Sequence, residues 1–217
     1  MTEPLSDITV VELAGIGPAP FAGMMLAGMG ARVIRVERPG AGGLETMVPR
    51  EYNLLLRDRE RVELDLKSEE GVARCLELIE GAQILLEGFR PGVMERMGLG
   101  PDVCAARNPA LVFGRVTGWG QDGPLALRAG HDINFMALSG ALDVIGTAGG
   151  PPAIPINLVA DFGGGGMLLA FGVLAALHEA QRTGKGKVVD AAMIDGAAQL
   201  MAATHGMRQA GLWPGGR

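Results

Sequence analysis

Short apolar runs recur along the chain, each bounded by glycine, proline or charged residues, with longer helix-like segments between them. Ile8-Thr9-Val10-Val11-Glu12-Leu13 is β-branched and short, as a buried strand is. A turn at Gly15-Ile16-Gly17-Pro18 leads into a helix expected from about Phe21 to Met29. Arg32-Val33-Ile34-Arg35-Val36-Glu37 then reads as the second strand of a βαβ unit. The Pro/Gly-rich stretch from Arg38 to about Asn53 reads as a loop, and Val62-Glu63-Leu64-Asp65-Leu66 alternates as a short strand. Ser68 is placed to cap a helix running to about Glu80, with Glu69 and Glu70 in its first turn, where the helix dipole favours them. Further strands are expected at Ile84–Glu87, Leu111–Val116 and Lys187–Asp190, with a turn and a short helix after Gly88. A long apolar helix is expected to about Gln181, a last helix from Met193 to about Gln209, and a loop from Trp213 to Arg217. Strands alternating with helices at this spacing predict an α/β fold, a doubly wound parallel sheet whose carboxyl ends gather ligands.

Composition narrows this picture. The 217 residues suit one domain, and 48% hydrophobic residues with 35 glycines suit a closely packed α/β core. A net charge of −5 argues against a general nucleic-acid binder, whose affinity needs an excess of Lys and Arg. Cys75 and Cys104 lack metal-ligand spacing and read as reduced core thiols. No charged-then-apolar leader with a cleavage site opens the sequence, so the expectation is a cytoplasmic protein. The uncharged run from Phe162 to Leu177 is shorter than the roughly 20 residues of a spanning helix and reads as a buried one.

Candidate chemistry concentrates between Gly130 and Gly166. His131 lies in a glycine-bounded loop, where function tends to lie, and precedes Asp132, placed to orient an imidazole nitrogen. Asp161 precedes Phe162 and four glycines, and reads as the N-cap of a glycine-opened helix. Four glycines cost such a helix up to ~1 kcal/mol each relative to alanine. Close approach of a ligand or of another backbone would explain that cost, and free N–H groups there would suit an oxyanion. A histidine and an aspartate, with ordinary pKa values of about 6.5 and 3.9, suit an acid/base pair. His178 and His205 lie within predicted helices and read as packing residues. Gly15-x-Gly17 imitates a dinucleotide fingerprint, but its third glycine is replaced by Pro20, and Pro18 and Pro20 remove two N–H donors. A tight turn beside some ligand is expected there instead of a dinucleotide site. Arg38, Lys67, Arg90 and Arg96 each fall at or after the end of a predicted strand, where cations converge on an anionic ligand.

Several longer stretches carry a resemblance. Val10-Val11-Glu12-Leu13-Ala14-Gly15, Arg35-Val36-Glu37-Arg38-Pro39-Gly40, Leu64-Asp65-Leu66-Lys67 and Glu87-Gly88-Phe89-Arg90-Pro91-Gly92-Val93 resemble the family III CoA-transferase superfamily. So do Gly118-Trp119-Gly120-Gln121 and Gly184-Lys185-Gly186-Lys187-Val188-Val189-Asp190-Ala191. Gly130-His131-Asp132-Ile133-Asn134 and Asn157-Leu158-x-x-Asp161-Phe162 resemble its α-methylacyl-CoA racemase branch. The resemblance implies the Rossmann-like large domain of that fold. Residues 1–190 would form the CoA-binding domain, and residues 191–217 a helix and the start of a linker towards a small domain missing here. It implies a racemase that interconverts (2R)- and (2S)-2-methylacyl-CoA thioesters through an enolate, with His131 and Asp161 on opposite faces of the α-carbon. The CoA moiety would meet Arg38, Leu64, Asp65, Leu66, Lys67, Gly88, Phe89, Arg90, Arg96, Gly130, Asp132, Ile133, Asn134 and Phe135. At the last of these positions the family usually has tyrosine. The resemblance implies no metal or redox cofactor, coenzyme A being part of the substrate, and an interlocked homodimer with neither nucleic acid nor membrane as a partner. Family members are longer, with a glutamate assisting Asp161 in the part that follows, so the chain reads as an N-terminal portion. Two alternatives stay open: a family III CoA-transferase that uses Asp161 as its nucleophile, and an inactive CoA-binding fragment.

Overall fold

The computed structural model describes residues 3–40 and 48–213. Val10, Val33, Ile84, Leu86, Val112 and Val116 contribute to one buried apolar cluster, and Val11, Leu13, Val36, Leu85 and Phe113 to another. Successive residues of a strand face opposite sides, so these runs are strands buried on both faces, as parallel strands are. They belong to β1 (Thr9–Leu13), β2 (Arg32–Glu37), β4 (Ile84–Glu87) and β5 (Val112–Thr117); β3 (Arg59–Glu63) and β6 (Val188–Ala192) form the edges. All pairings are parallel, in the order β3-β2-β1-β4-β5-β6. Helices α1 (Pro18–Ala27) and α6 (Leu168–Thr183) cover the first face. Helices α2 (Glu69–Glu80), α3 (Val93–Arg96) and α4 (Pro101–Arg107) cover the second, where Cys75 and Cys104 lie fully buried as free thiols. The winding direction reverses between β1 and β4, and it is beyond the carboxyl ends at such a reversal that doubly wound sheets bind ligands.

Two buried ionic chains hold the turns that leave these strands. On the α1 side, Glu12 pairs with both Arg35 and Arg59, and Arg35 also reaches Glu37 and the Gly15 carbonyl. On the other side, Arg115 joins Glu87 and Glu95, and Glu87 accepts the Phe89 N–H at 2.7 Å. Truncating one partner of the fully buried Glu12–Arg35 pair would strand a charge in the core, at a cost of about 3–5 kcal/mol.

Several elements lie where the sequence places them: β2 and β4 match to the residue, and Ser68 accepts the Gly71 N–H at 3.0 Å to cap α2. Others move. The third strand is Arg59–Glu63, earlier than the expected Val62–Leu66, because an edge strand paired only with β2 tolerates alternating charge and shows little apolar signal. The first helix begins at Pro18, with proline in its first turn, where a missing N–H costs nothing. The last helix breaks at Met201 into α7 (Met193–Leu200) and α8 (Ala202–Gln209). A boundary after residue 190 falls inside β6. Of the expected loops, residues 41–47 and 214–217 lie outside the described residues. The long apolar helix also differs. It opens at Leu158 as a π-helix (Leu158–Met167) and continues into α6, giving 26 residues, long and apolar enough to cross a membrane. Here it lies on β5, where Gly114 leaves room for Val173 and Leu169.

Candidate active site

Three segments meet at the carboxyl edge of the sheet: the β1–α1 turn, the start of α5 (Asp132–Ser139) and the first turns of the π-helix. Phe135, Met136, Ala160, Ala197 and Met201 form a third apolar cluster that joins α5, the π-helix and the α7–α8 junction. Phe135 is 1% exposed, its ring edge-on to Trp119 with centroids 4.6 Å apart. Gly118 and Gly130 pack against that ring so closely that neither has room for a Cβ. The start of α5 is thereby pinned.

His131 occupies the N-cap of α5, with extended backbone, and its N–H donates to Asn134 Oδ1 at 3.0 Å. The expected loop is thus a helix start, and His131 stands exposed at its mouth. Asp161 is likewise displaced from its expected place. Asn157 is the N-cap, and Asp161 lies in the first turn of the π-helix, whose wide i→i+5 pattern begins with the Phe162 N–H reaching the Asn157 carbonyl at 3.3 Å. Its carboxylate points to the β1–α1 turn, where a Cβ on Gly17 would stand 3.9 Å from Oδ2. Gly17 itself has φ 71°, a conformation that favours glycine. Burial first, then the negative charge of Asp132, push the Asp161 pKa up to about 6; a hydrogen bond with Asn157 and the charge of His131 pull the other way.

Asp132 does not turn to the imidazole. It is 5% exposed, and its Oδ2 accepts the N–H groups of Ala160 at 2.7 Å and Asp161 at 2.8 Å. The N–H groups expected to be free for an oxyanion are therefore taken at these two positions. Among the described residues Oδ1 of Asp132 finds no hydrogen-bond partner. The glycine run has a packing reason. Gly164 crosses α7 at Gly196 so closely that a Cβ on Gly196 would overlap the Gly164 carbonyl. Gly165 and Gly166 lie against Pro18 and Phe21, and the Phe21 and Phe162 rings stack at 4.9 Å.

The remaining residues expected at a CoA site spread along the carboxyl edge. Arg38, Asp65, Lys67, Gly88, Arg90, Arg96, Ile133 and Asn134 are exposed, and Gly130 is half-buried. Leu64, Leu66 and Phe89 are half-buried against the α2 side of the core, so their side chains face inward. Asp132 and Phe135 are buried. The Leu64–Lys67 stretch follows β3, two strands and roughly 10 Å from β1. Among the described residues no group of three or more His, Cys, Asp or Glu gathers as metal ligands do. The sequence reading quotes Asn157 only within a motif and gives it no cap role; an Asn shortly after Pro155 and ahead of an apolar run was its N-cap signal.

The sequence pattern of CoA-transferase family III matches residues 5–216. Human alpha-methylacyl-CoA racemase is 44% identical over 209 residues, covering 96% of this chain and 53% of that protein. Succinyl-CoA–D-citramalate CoA-transferase of Chloroflexus aurantiacus is 37% identical over 211 residues, 91% of this chain and 51% of that one. The crystal structure of Rv3272 from Mycobacterium tuberculosis matches with a TM-score of 0.84 and 37% identity, covering 96% of this chain and 59% of that one. The chain spans about half the length of the curated relatives it matches.

Proposed function

The chain belongs to CoA-transferase family III, and we propose that it carries the proton-transfer chemistry of a cytoplasmic racemase that interconverts (2R)- and (2S)-2-methylacyl-CoA thioesters. A thioester α-proton is weakly acidic, so its removal needs a positioned base and stabilisation of the enolate oxygen. Racemisation needs groups on both faces of the carbon, because a single base returns the proton to the side it left. His131 is one such group and Asp161 the other, and the reaction calls for no cofactor beyond the coenzyme A of its substrate. The observation that carries this reading is their pairing: an exposed histidine at one helix start and a carboxyl pushed up to about 6 at another, with the His131 charge felt at Asp161. A group titrating near neutrality serves as both acid and base at pH 7. The 44% identity to a human racemase supports the same reading. The exposed cations Arg38, Lys67, Arg90 and Arg96 suit the phosphates of CoA, and the exposed apolar side chains Met167, Phe171 and Leu200 suit a homodimer.

The test is solvent-deuterium exchange at the substrate α-carbon. With His131→Ala, exchange from one enantiomer falls roughly 100-fold or more, while the other continues to wash out through Asp161. Equal exchange from both enantiomers in that variant would remove His131 from its role. Transferases among the relatives favour a second reading, in which Asp161 attacks a thioester and an acyl–enzyme anhydride forms. In that case the unmodified protein moves CoA between acids and exchanges no α-proton.

A further inference from the structure

Asp132 has no part in the two-base scheme, yet its carboxylate links the two segments that carry the bases. It is the first residue of α5, directly after His131, and its Oδ2 holds the N–H groups of Ala160 and Asp161. The first N–H groups of a helix are ordinarily met by water or by the side chain of its own N-cap. Here the acceptor comes from a different helix and is itself buried, at 5% exposure. The same side chain keeps its second oxygen buried without a hydrogen bond among the described residues. A cap serving only the backbone has no need of that buried, charged oxygen.

We propose that Asp132 is a positioning residue for the proton transfer, a strut that ties the backbone of Asp161 to that of His131 and so sets the two bases relative to one another. The proposal rests on the two-base reading above. Its charge bears on the reaction as well. The groups acting on the Asp161 carboxyl are Asp132 and His131 from α5 and Asn157 from the π-helix itself, while the β1–α1 turn presents the uncharged Gly17. Among them Asp132 is the one that disfavours ionisation of Asp161, and a carboxyl held nearer neutrality exchanges protons with a weak carbon acid more readily.

Asp132→Asn keeps an oxygen to accept both N–H groups and removes the charge; Asp132→Ala removes both. In the full protein, carbon-13 titration of the Asp161 carboxyl, amide hydrogen exchange and the pH dependence of α-proton exchange are compared across parent and variants. In Asp132→Asn the Asp161 midpoint falls by about one pH unit. The acid limb of kcat moves down with it, and KM stays within about twofold. In Asp132→Ala the amides of Ala160 and Asp161 lose protection, and kcat drops roughly 100-fold as the carboxyl leaves its place. A lowered melting temperature in both variants, with the Asp161 midpoint and the pH profile unmoved, would overturn the proposal. Should the alanine variant not fold, the asparagine variant decides it by the same midpoint and profile. Failure of the two-base reading looks different. The parent then exchanges no α-proton from either enantiomer, while the Asp161 midpoint still falls in Asp132→Asn and the strut between the two segments stands.

Discussion

Asp161 titrates in the folded protein at about 6 instead of its ordinary 3.8, and that difference ties the chemistry of one side chain to the stability of the whole chain. The folded state holds this proton more tightly than the unfolded chain does. Ionised Asp161 therefore destabilises the fold above about pH 6, and the penalty fades as pH falls towards 3.8, below which both states are protonated. Asp161→Asn is expected to melt higher than the parent at pH 8 and no higher at pH 3.5; melting curves over that range test it, while proton exchange through Asp161 is lost at every pH. Just before this site Ile156 holds φ 56°, a left-handed conformation costly for a β-branched residue, as is often found beside functional groups. His131 and Asp161 stood out in the sequence because the first follows a glycine and the second stands just ahead of a glycine run, each at a break in the apolar pattern. The partner of Asp132 did not. An aspartate after a histidine reads as a local orienting group, and only the packing of α5 against the π-helix turns its carboxylate the other way.

At the scale of elements, the glycine run is the clearest case of a sequence cost with a structural reason. Gly164 and Gly196 let the π-helix and α7 touch backbone to backbone. Gly196→Ala is expected to destabilise the protein by about 1–3 kcal/mol through forced separation of the two helices, measured by chemical denaturation. Activity should fall with it, because Asp161 is carried by the displaced segment. The sequence left open whether a ligand or a backbone came close, since glycine serves both. It also misplaced the helix start, because the wide i→i+5 turns of a π-helix do not follow the 3.6-residue period by which a helix is recognised. Strands buried on both faces, such as Arg32–Glu37 and Ile84–Glu87, were legible to the residue, whereas Arg59–Glu63 was hidden by its edge position and its charges.

Across the whole molecule, alternation of strands and helices was enough to anticipate a doubly wound parallel sheet, and Gly17 and Asp161 meet beyond β1, beside the point where its order reverses. The surface was less legible, because exposure depends on what covers each face. Leu158, Met167, Phe171 and Leu200 are apolar and between 47% and 73% exposed along the π-helix, α6 and α7. Residues 1–217 expressed alone are therefore expected to self-associate in sedimentation velocity, and Phe171→Lys with Leu200→Lys to shift the population towards monomer. A sharp monomer boundary for the unmodified chain would contradict this.

The π-helix also fixes a rotational phase. Removing one residue from a helix turns everything before it by about 100° relative to everything after it. The wide turns of Leu158–Met167 absorb an extra residue, so that Asp161 faces Gly17 while α6 keeps Leu169 and Val173 on the sheet. With one glycine fewer, the carboxylate and the core face of α6 would fall out of step, and satisfying one would misdirect the other. The length of the glycine run is thus as much a part of the site as the aspartate two residues before it.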